Sequence, residues 1–331
     1  MSLSKSIFLK FSLLLICIFC SNITYAKIYK WIDKDGITHY GQKPISGLEQ
    51  EEISQKIKKS SEAVKFTPVK SSSISNQAKS PNIGKLLVDI KSVQYAIDSR
   101  TRKKIKRQIR AIHQAYKEWF DWEAHKDQII KIRIFGKYKD FENFQIQNNG
   151  RFSTHRSHYN RKTREILMHG TEFKDATLSV LFHEASHAII HMGMKSSPKW
   201  INEGLAEVFA RSAIKKGALT VENNDEWIEL MKHKLREGSL LNFKDYINIT
   251  THSWHNTSRR EERAYYYIAW SMMKFLVSNK NRRAALKDII HETRRTVWWK
   301  KGGLEKTFNN NYPGGINKLN RDWRKWIIQQ S

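Results

Sequence analysis

Between residues 101 and 126 the apolar positions Ile105, Ile109, Ile112, Tyr116 and Trp119 recur at three- and four-residue spacing, which predicts an amphipathic helix. Its other face carries Arg102, Lys103, Lys106, Arg107 and Arg110, a charge run of the kind that usually meets solvent on the back of a core-packing helix. Alternation over Ile129-Ile-Lys-Ile-Arg-Ile-Phe135 predicts a strand, and Arg164-Glu-Ile-Leu-Met168 predicts another, with a Gly-, Asn- and Ser-containing stretch between them. Helical patterns follow at about 174–192, 200–214, 223–237, 261–279, 282–295 and 314–329. A small sheet followed by many helices is an α+β arrangement with a predominantly helical C-terminal part.

Ahead of this domain, which begins near Leu86, the pattern changes three times. Lys5 and Lys10 precede the apolar run Phe11-Ser-Leu-Leu-Leu-Ile-Cys-Ile-Phe19, and small and polar residues lead to Thr24-Tyr-Ala26. This is the layout of a secretory signal cleaved after Ala26. The stretch is broken by Lys10 and falls short of the ~20 residues a spanning helix needs, so no transmembrane segment is expected after cleavage. Neither Cys17 nor Cys20 is preceded by the small residues of a bacterial lipoprotein site, so the product reads as released. Residues 27–50 place two short alternating runs either side of Asp35-Gly36, a hairpin signal. A calcium loop is excluded there, because the further ligands and the closing Glu are missing. Residues 51–85 are rich in Ser and Lys and read as a linker. With its Tyr-Lys-Trp, Asp-x-Asp-Gly and His-Tyr elements, the hairpin segment resembles a small domain of unknown function that opens many Gram-negative envelope proteins. That resemblance implies a periplasmic or secreted location.

Composition narrows the class. Eleven Trp, twelve Tyr and fifteen Phe among 331 residues exclude disorder over the whole length, and two cysteines, both in the first apolar run, exclude a disulfide scaffold. The formal charge is +27; removal of residues 1–26 leaves 57 basic against 32 acidic residues, or +25. In an exported protein such a field favours anionic envelope components such as lipid headgroups, lipopolysaccharide or acidic wall polymers. Binding of nucleic acid would be non-specific.

The chemistry is concentrated at Leu181-Phe182-His183-Glu184-Ala185-Ser186-His187-Ala188-Ile189-Ile190. His183 and His187 are one helical turn apart, so both imidazoles project from one side and can hold one metal ion. Glu184 lies beside the first ligand, where its carboxylate can take a proton from a water on the metal without occupying the metal. With 13 His in 331 residues, this spacing arises by chance in about 3% of chains of such composition. A hydrolytic zinc site wants three protein ligands and an open position. Further on, Pro198-Lys-Trp200-Ile-Asn202-Glu203-Gly204-Leu205-Ala206-Glu207 looks like the start of a second helix. Fifteen residues separate His187 from Glu203, which can complete a His-His-Glu set. His191 continues the four-residue series, but Ile190 and Gly193 occupy positions that the metzincin pattern reserves for Gly and a third His. His191 is therefore left out as a surface or packing residue.

His-Glu-x-x-His followed by Trp-x-Asn-Glu-Gly resembles the gluzincin metallopeptidases of the peptidase MA-like superfamily, and the likeness extends over residues 86–331. It implies a zincin-like domain, one Zn²⁺ on His183, His187 and Glu203, and Glu184 as general base acting on a peptide or protein substrate. The interval to Glu203 is shorter than in zinc aminopeptidases and thermolysin-like enzymes. Glu207, one turn later, matches the longer interval and is either a partner of a ligand histidine, as in those relatives, or the ligand in a shifted register. Ala264-Tyr-Tyr-Tyr267-Ile-Ala-Trp270 resembles the superfamily's Tyr-x-x-x-aromatic helix and picks Tyr266 as donor to the oxyanion. Three adjacent tyrosines point three ways, so at most one or two face the metal. The reading from another class is a cationic envelope-binding protein whose metal site is structural or vestigial. Glu184 argues against it, since a structural site has no use for a base.

Overall fold

The structure is a computed structural model that describes residues 85–330 apart from 123–126, 150–156, 171–174, 195, 297–299 and 301, together with four short strands nearer the N-terminus. The signal segment 1–26 with both cysteines, the Asp35-Gly36 turn and most of the linker 51–85 lie outside the described residues. Strands β1 (Tyr29–Ile32) and β2 (Thr38–Gly41) pair antiparallel with Trp31 opposite His39, as the hairpin pattern predicts, and β3 (Glu51–Glu52) pairs with β1. A further two-residue strand, β4 (Val64–Lys65), is followed by the main domain.

The main domain is mixed α+β and mostly helical. Its sheet has four strands, β5 (Leu86–Val93), β6 (Gln128–Phe135), β7 (Ser157–Asn160) and β8 (Glu165–His169), in the order β5-β6-β8-β7. β5, β6 and β8 are parallel, and β7 runs antiparallel at the end. Parallel neighbours need a crossover. Helix α1 (Ser99–Phe120) supplies the first and α2 (Tyr138–Asn149) contributes to the second. The predicted helix over 101–126 stops at Phe120, because Asp121 takes a left-handed conformation, φ 48°, that ends the helical ladder. Arg102, assigned above to the solvent face, instead turns inward, its guanidinium donating to the Ile90 carbonyl at 2.9 Å and to Ser92 Oγ at 3.3 Å.

Helices α3 (Asp175–Gly193) and α4 (Lys199–Ala210) come next. The expectation of helix to residue 214 is corrected: Ser212–Lys215 form β9, which returns as β10 (Ala218–Val221) through Lys216 and Gly217. Both turn residues have positive φ, 50° and 79°, the signature of a tight hairpin that Gly217 accommodates. β10 also pairs with β4. The remaining helices are α5 (Asp225–Arg236), α6 (Phe243–Ile247), α7 (Thr251–His255), α8 (Arg259–Val277), α9 (Lys280–Arg295), α10 (Gly303–Asn311) and α11 (Gly315–Gln329).

α3 rests on the sheet, α4 packs against α3, and α8 packs against α4. α3 is buried nearly all round: Leu181, Ala185, Ala188 and Ile189 form an apolar stripe, and His183, Glu184 and Ser186 are buried on its other sides. Its far side is pinned by a 2.8 Å hydrogen bond between Ser186 and Tyr116 of α1. Between α4 and α8 the approach is closer than side chains allow: a Cβ on Gly204 would stand 2.8 Å from the Ala269 carbonyl oxygen.

Candidate metal centre

Helical spacing on α3 sets His183 and His187 on one face, and their Nε2 atoms lie 3.0 Å apart. Glu203, on the first turns of α4, brings Oε2 to 3.6 Å from each of those nitrogens. A tetrahedral ion with bonds of about 2.0–2.1 Å needs about 3.3 Å between donor atoms. The three edges bracket that value, so the group could hold one metal ion. Glu203 Oε2 is buried and has no hydrogen-bond partner among the described residues, an arrangement that costs free energy unless a cation satisfies it.

Each donor has a polar neighbour behind it. His187 Nδ1 lies 3.2 Å from Asn202 Oδ1, so Asn202 can fix the ring with Nε2 directed at the metal position. His183 Nδ1 faces Glu207 Oε1 at 3.7 Å, and Glu207 is itself buried and paired with Arg211. The Arg211 guanidinium lies 3.7 Å from the ring centroid of Trp227. Glu203 Oε1 accepts from Lys199 Nζ at 3.1 Å, one turn back on α4. Sequence reasoning had no role for Asn202, Lys199 or Arg211. The four-residue steps from Lys199 to Glu203 and from Glu207 to Arg211 were the available signals.

The charges follow from these contacts. Burial opposes ionisation of Glu203, but Lys199 and the two histidines outweigh it and hold its carboxyl well below the usual range. Burial drives His187 down to about 4, so its imidazole is neutral, the form that binds metal. Burial also opposes a charge on His183, yet Glu203, Glu207 and Glu184 raise it.

Glu184 is buried beside this group, facing the end of the sheet. Its Oε2 accepts the Tyr159 backbone N–H at 2.8 Å, while Oε1 has no hydrogen-bond partner among the described residues. Burial pushes its carboxyl up to about 7, with His183 and the Tyr159 amide opposing the shift. A carboxyl poised near neutrality is suited to taking up and returning a proton.

Of the three tyrosines, Tyr266 is fully buried with its ring 5.5 Å from that of Trp254. Burial first, then Glu203, Glu262 and Glu207, push its hydroxyl well above the usual range, so it stays a donor. Tyr267 packs on Trp227, with ring centroids 4.8 Å apart. Tyr246 also feels Glu203, but its hydroxyl donates to the Tyr265 carbonyl at 2.6 Å. His191 is half-buried, and its Nδ1 shares a 2.9 Å hydrogen bond with the Tyr159 hydroxyl.

Among the described residues no helix is long and apolar enough to cross a membrane. Comparison with curated proteins gives no match. Two family patterns do match parts of the chain. Residues 15–79, which include the hairpin segment, are similar to a domain of unknown function, DUF4124, and residues 177–298 are similar to a protein of unknown function, DUF1570. The second match runs from α3 to just beyond α9 and so takes in His183, Glu184, His187, Glu203, Glu207 and Tyr266.

Proposed function

We propose that the protein is an exported zinc-dependent metallohydrolase, a peptidase of the gluzincin kind on a zincin-like domain. The observation that carries the reading is the convergence of His183 Nε2, His187 Nε2 and Glu203 Oε2 beside a buried carboxylate, Glu184, that is not part of the donor triangle. A structural metal site needs no such group.

When bound, zinc supplies Lewis acidity that brings the pKa of water toward ~7. Glu184 accepts a proton from the attacking water through its free oxygen and then passes it to the leaving amine, so that one peptide bond and one water become a carboxylate and an amine. Asn202 and Glu207 keep the two imidazoles in the ligating orientation. Lys199 occupies the second oxygen of Glu203 and leaves the first for the metal. Tyr266, kept protonated by its surroundings, is the donor offered to charge developing on the carbonyl oxygen.

The test is digestion of a proteome-derived peptide library by the zinc-loaded protein and by Glu184→Gln. The parent is expected to cleave, and the variant to retain zinc while losing about 10² to 10⁴-fold in rate. Equal turnover by both, or none by a parent of full zinc occupancy, would overturn the reading.

A further inference from the structure

The proposed mechanism leaves His191 without a task. On α3 it stands seven residues beyond Glu184, two helical turns along the same face. One residue outside the helix touches both positions. Tyr159 gives its backbone N–H to Glu184 Oε2 at 2.8 Å and shares its phenol with His191 Nδ1 at 2.9 Å. The two rings meet edge to face, 5.7 Å between centroids and 64° between planes.

Tyr159 belongs to β7, which comes last in the sheet order and has one ladder partner in that sheet, β8. A four-residue strand with one ladder partner has few backbone hydrogen bonds of its own, so its place depends on what packs against it. The amide that holds Glu184 therefore stays in place only as firmly as β7 stays along α3. A backbone donor cannot be strengthened by changing its own side chain, but the side chain of the same residue can anchor the strand.

We infer that His191 and Tyr159 form a latch that fastens β7 along α3 and so holds the Glu184 carboxylate, with one oxygen occupied and the other available for proton transfer. His191 is then a positioning residue that acts through Tyr159. The catalytic consequence rests on the peptidase reading, whereas the latch itself does not.

The experiment uses the full zinc-loaded chain as parent, Tyr159→Phe, His191→Ala, the double variant and His191→Gln, whose amide can still bond the phenol. Hydrogen exchange at the residue-159 amide is expected to quicken about 5- to 10-fold in each single variant, the loss of one hydrogen bond. The double variant should be no faster than either single, because both remove the same contact. His191→Gln should restore slow exchange. On a peptide that the parent cleaves, kcat should fall about 10-fold in the same variants, with KM and zinc affinity against a competing chelator unchanged, and recover in His191→Gln. Unchanged exchange at residue 159, additive effects in the double variant, or loss of zinc in step with loss of rate overturns the latch. If the parent cleaves no peptide the peptidase reading falls, and the exchange measurements still decide the latch.

Discussion

Replacing Gly204 by Ala tests whether the third ligand is placed by the contact between α4 and α8. An added Cβ would lie 2.8 Å from the Ala269 carbonyl oxygen and 3.1 Å from Met273 Cβ. Ordinary Cβ contacts begin at 3.4 Å, so the helices must part by roughly 0.5 Å, and overpacking of this kind costs about 1–3 kcal/mol. Alanine in a helix interior recovers about 1 kcal/mol relative to glycine. The net loss of stability is therefore small, about 0–2 kcal/mol. The effect on metal is larger in proportion, because the displaced backbone carries Glu203, whose Oε2 stands 3.6 Å from both histidine nitrogens. Functional donors tolerate about 0.5 Å of misplacement, so zinc affinity should fall about 10- to 100-fold. Thermal unfolding without metal and zinc competition with a chelator measure the two effects separately. A variant more stable than the parent with unchanged zinc affinity would express the propensity gain alone, and would show that the close approach does not position Glu203.

Three other substitutions address the carboxylates and a buried cation. Glu203→Ala should abolish tight zinc binding, whereas Glu207→Ala should weaken it about 10- to 100-fold, since Glu207 orients His183 and does not join the donor triangle; the opposite order under a chelator would move the ligand one turn. Lys274 is buried with its ammonium on the Val221 carbonyl at 2.7 Å, and burial lowers it from 10.5 to about 8. The folded protein thus releases this proton before the unfolded chain does, so stability rises with pH between about 8 and 10.5; from pH 7 to about 9.5 the gain is about 2 kcal/mol. Lys274→Met should lack that rise in urea unfolding at the two pH values, and parallel curves would show that the lysine is not held against its charge.

What the sequence revealed and what it concealed divide along physical lines. The period of α1 and the alternation of β6 were legible because burial repeats along them, β8 was legible as a short apolar run that is buried on both faces, and the pairing of β1 with β2 was legible because Asp35-Gly36 marks a turn. α2 was missed: it puts Phe141 and Phe144 against Phe135 in a separate small cluster, and its other residues show little periodicity. β7 was missed because Ser157-His-Tyr-Asn160 contains one residue of strong strand preference and is held by its neighbours. The end of α4 was placed too late because Arg211 to Lys215 continue a helical pattern that the Lys216-Gly217 turn overrides by pairing β9 with β10.

At the site the same division separates geometry from electrostatics. Positions on one helix face are fixed by residue count, which made the approach of His183 to His187 readable, and the Asn-Glu-Gly segment pointed to Glu203, which the fold brings to the same two imidazoles. Charge states are not a matter of counting. Glu184 and Glu203 are both buried glutamates within one site, yet one is pushed up to about 7 and the other well below its usual range. The difference lies in what surrounds each. Lys199 and two imidazoles face Glu203, while Glu184 has His183 beside it and takes its hydrogen bond from a backbone amide 25 residues away. Local spacing could have suggested Lys199, four residues before Glu203. Nothing local could have suggested the Tyr159 amide, because that contact exists only once β7 is laid beside α3. The separation of one buried carboxylate held ionised from another held near neutrality is therefore a property of the assembled sheet and helices rather than of the motif that first drew attention to them.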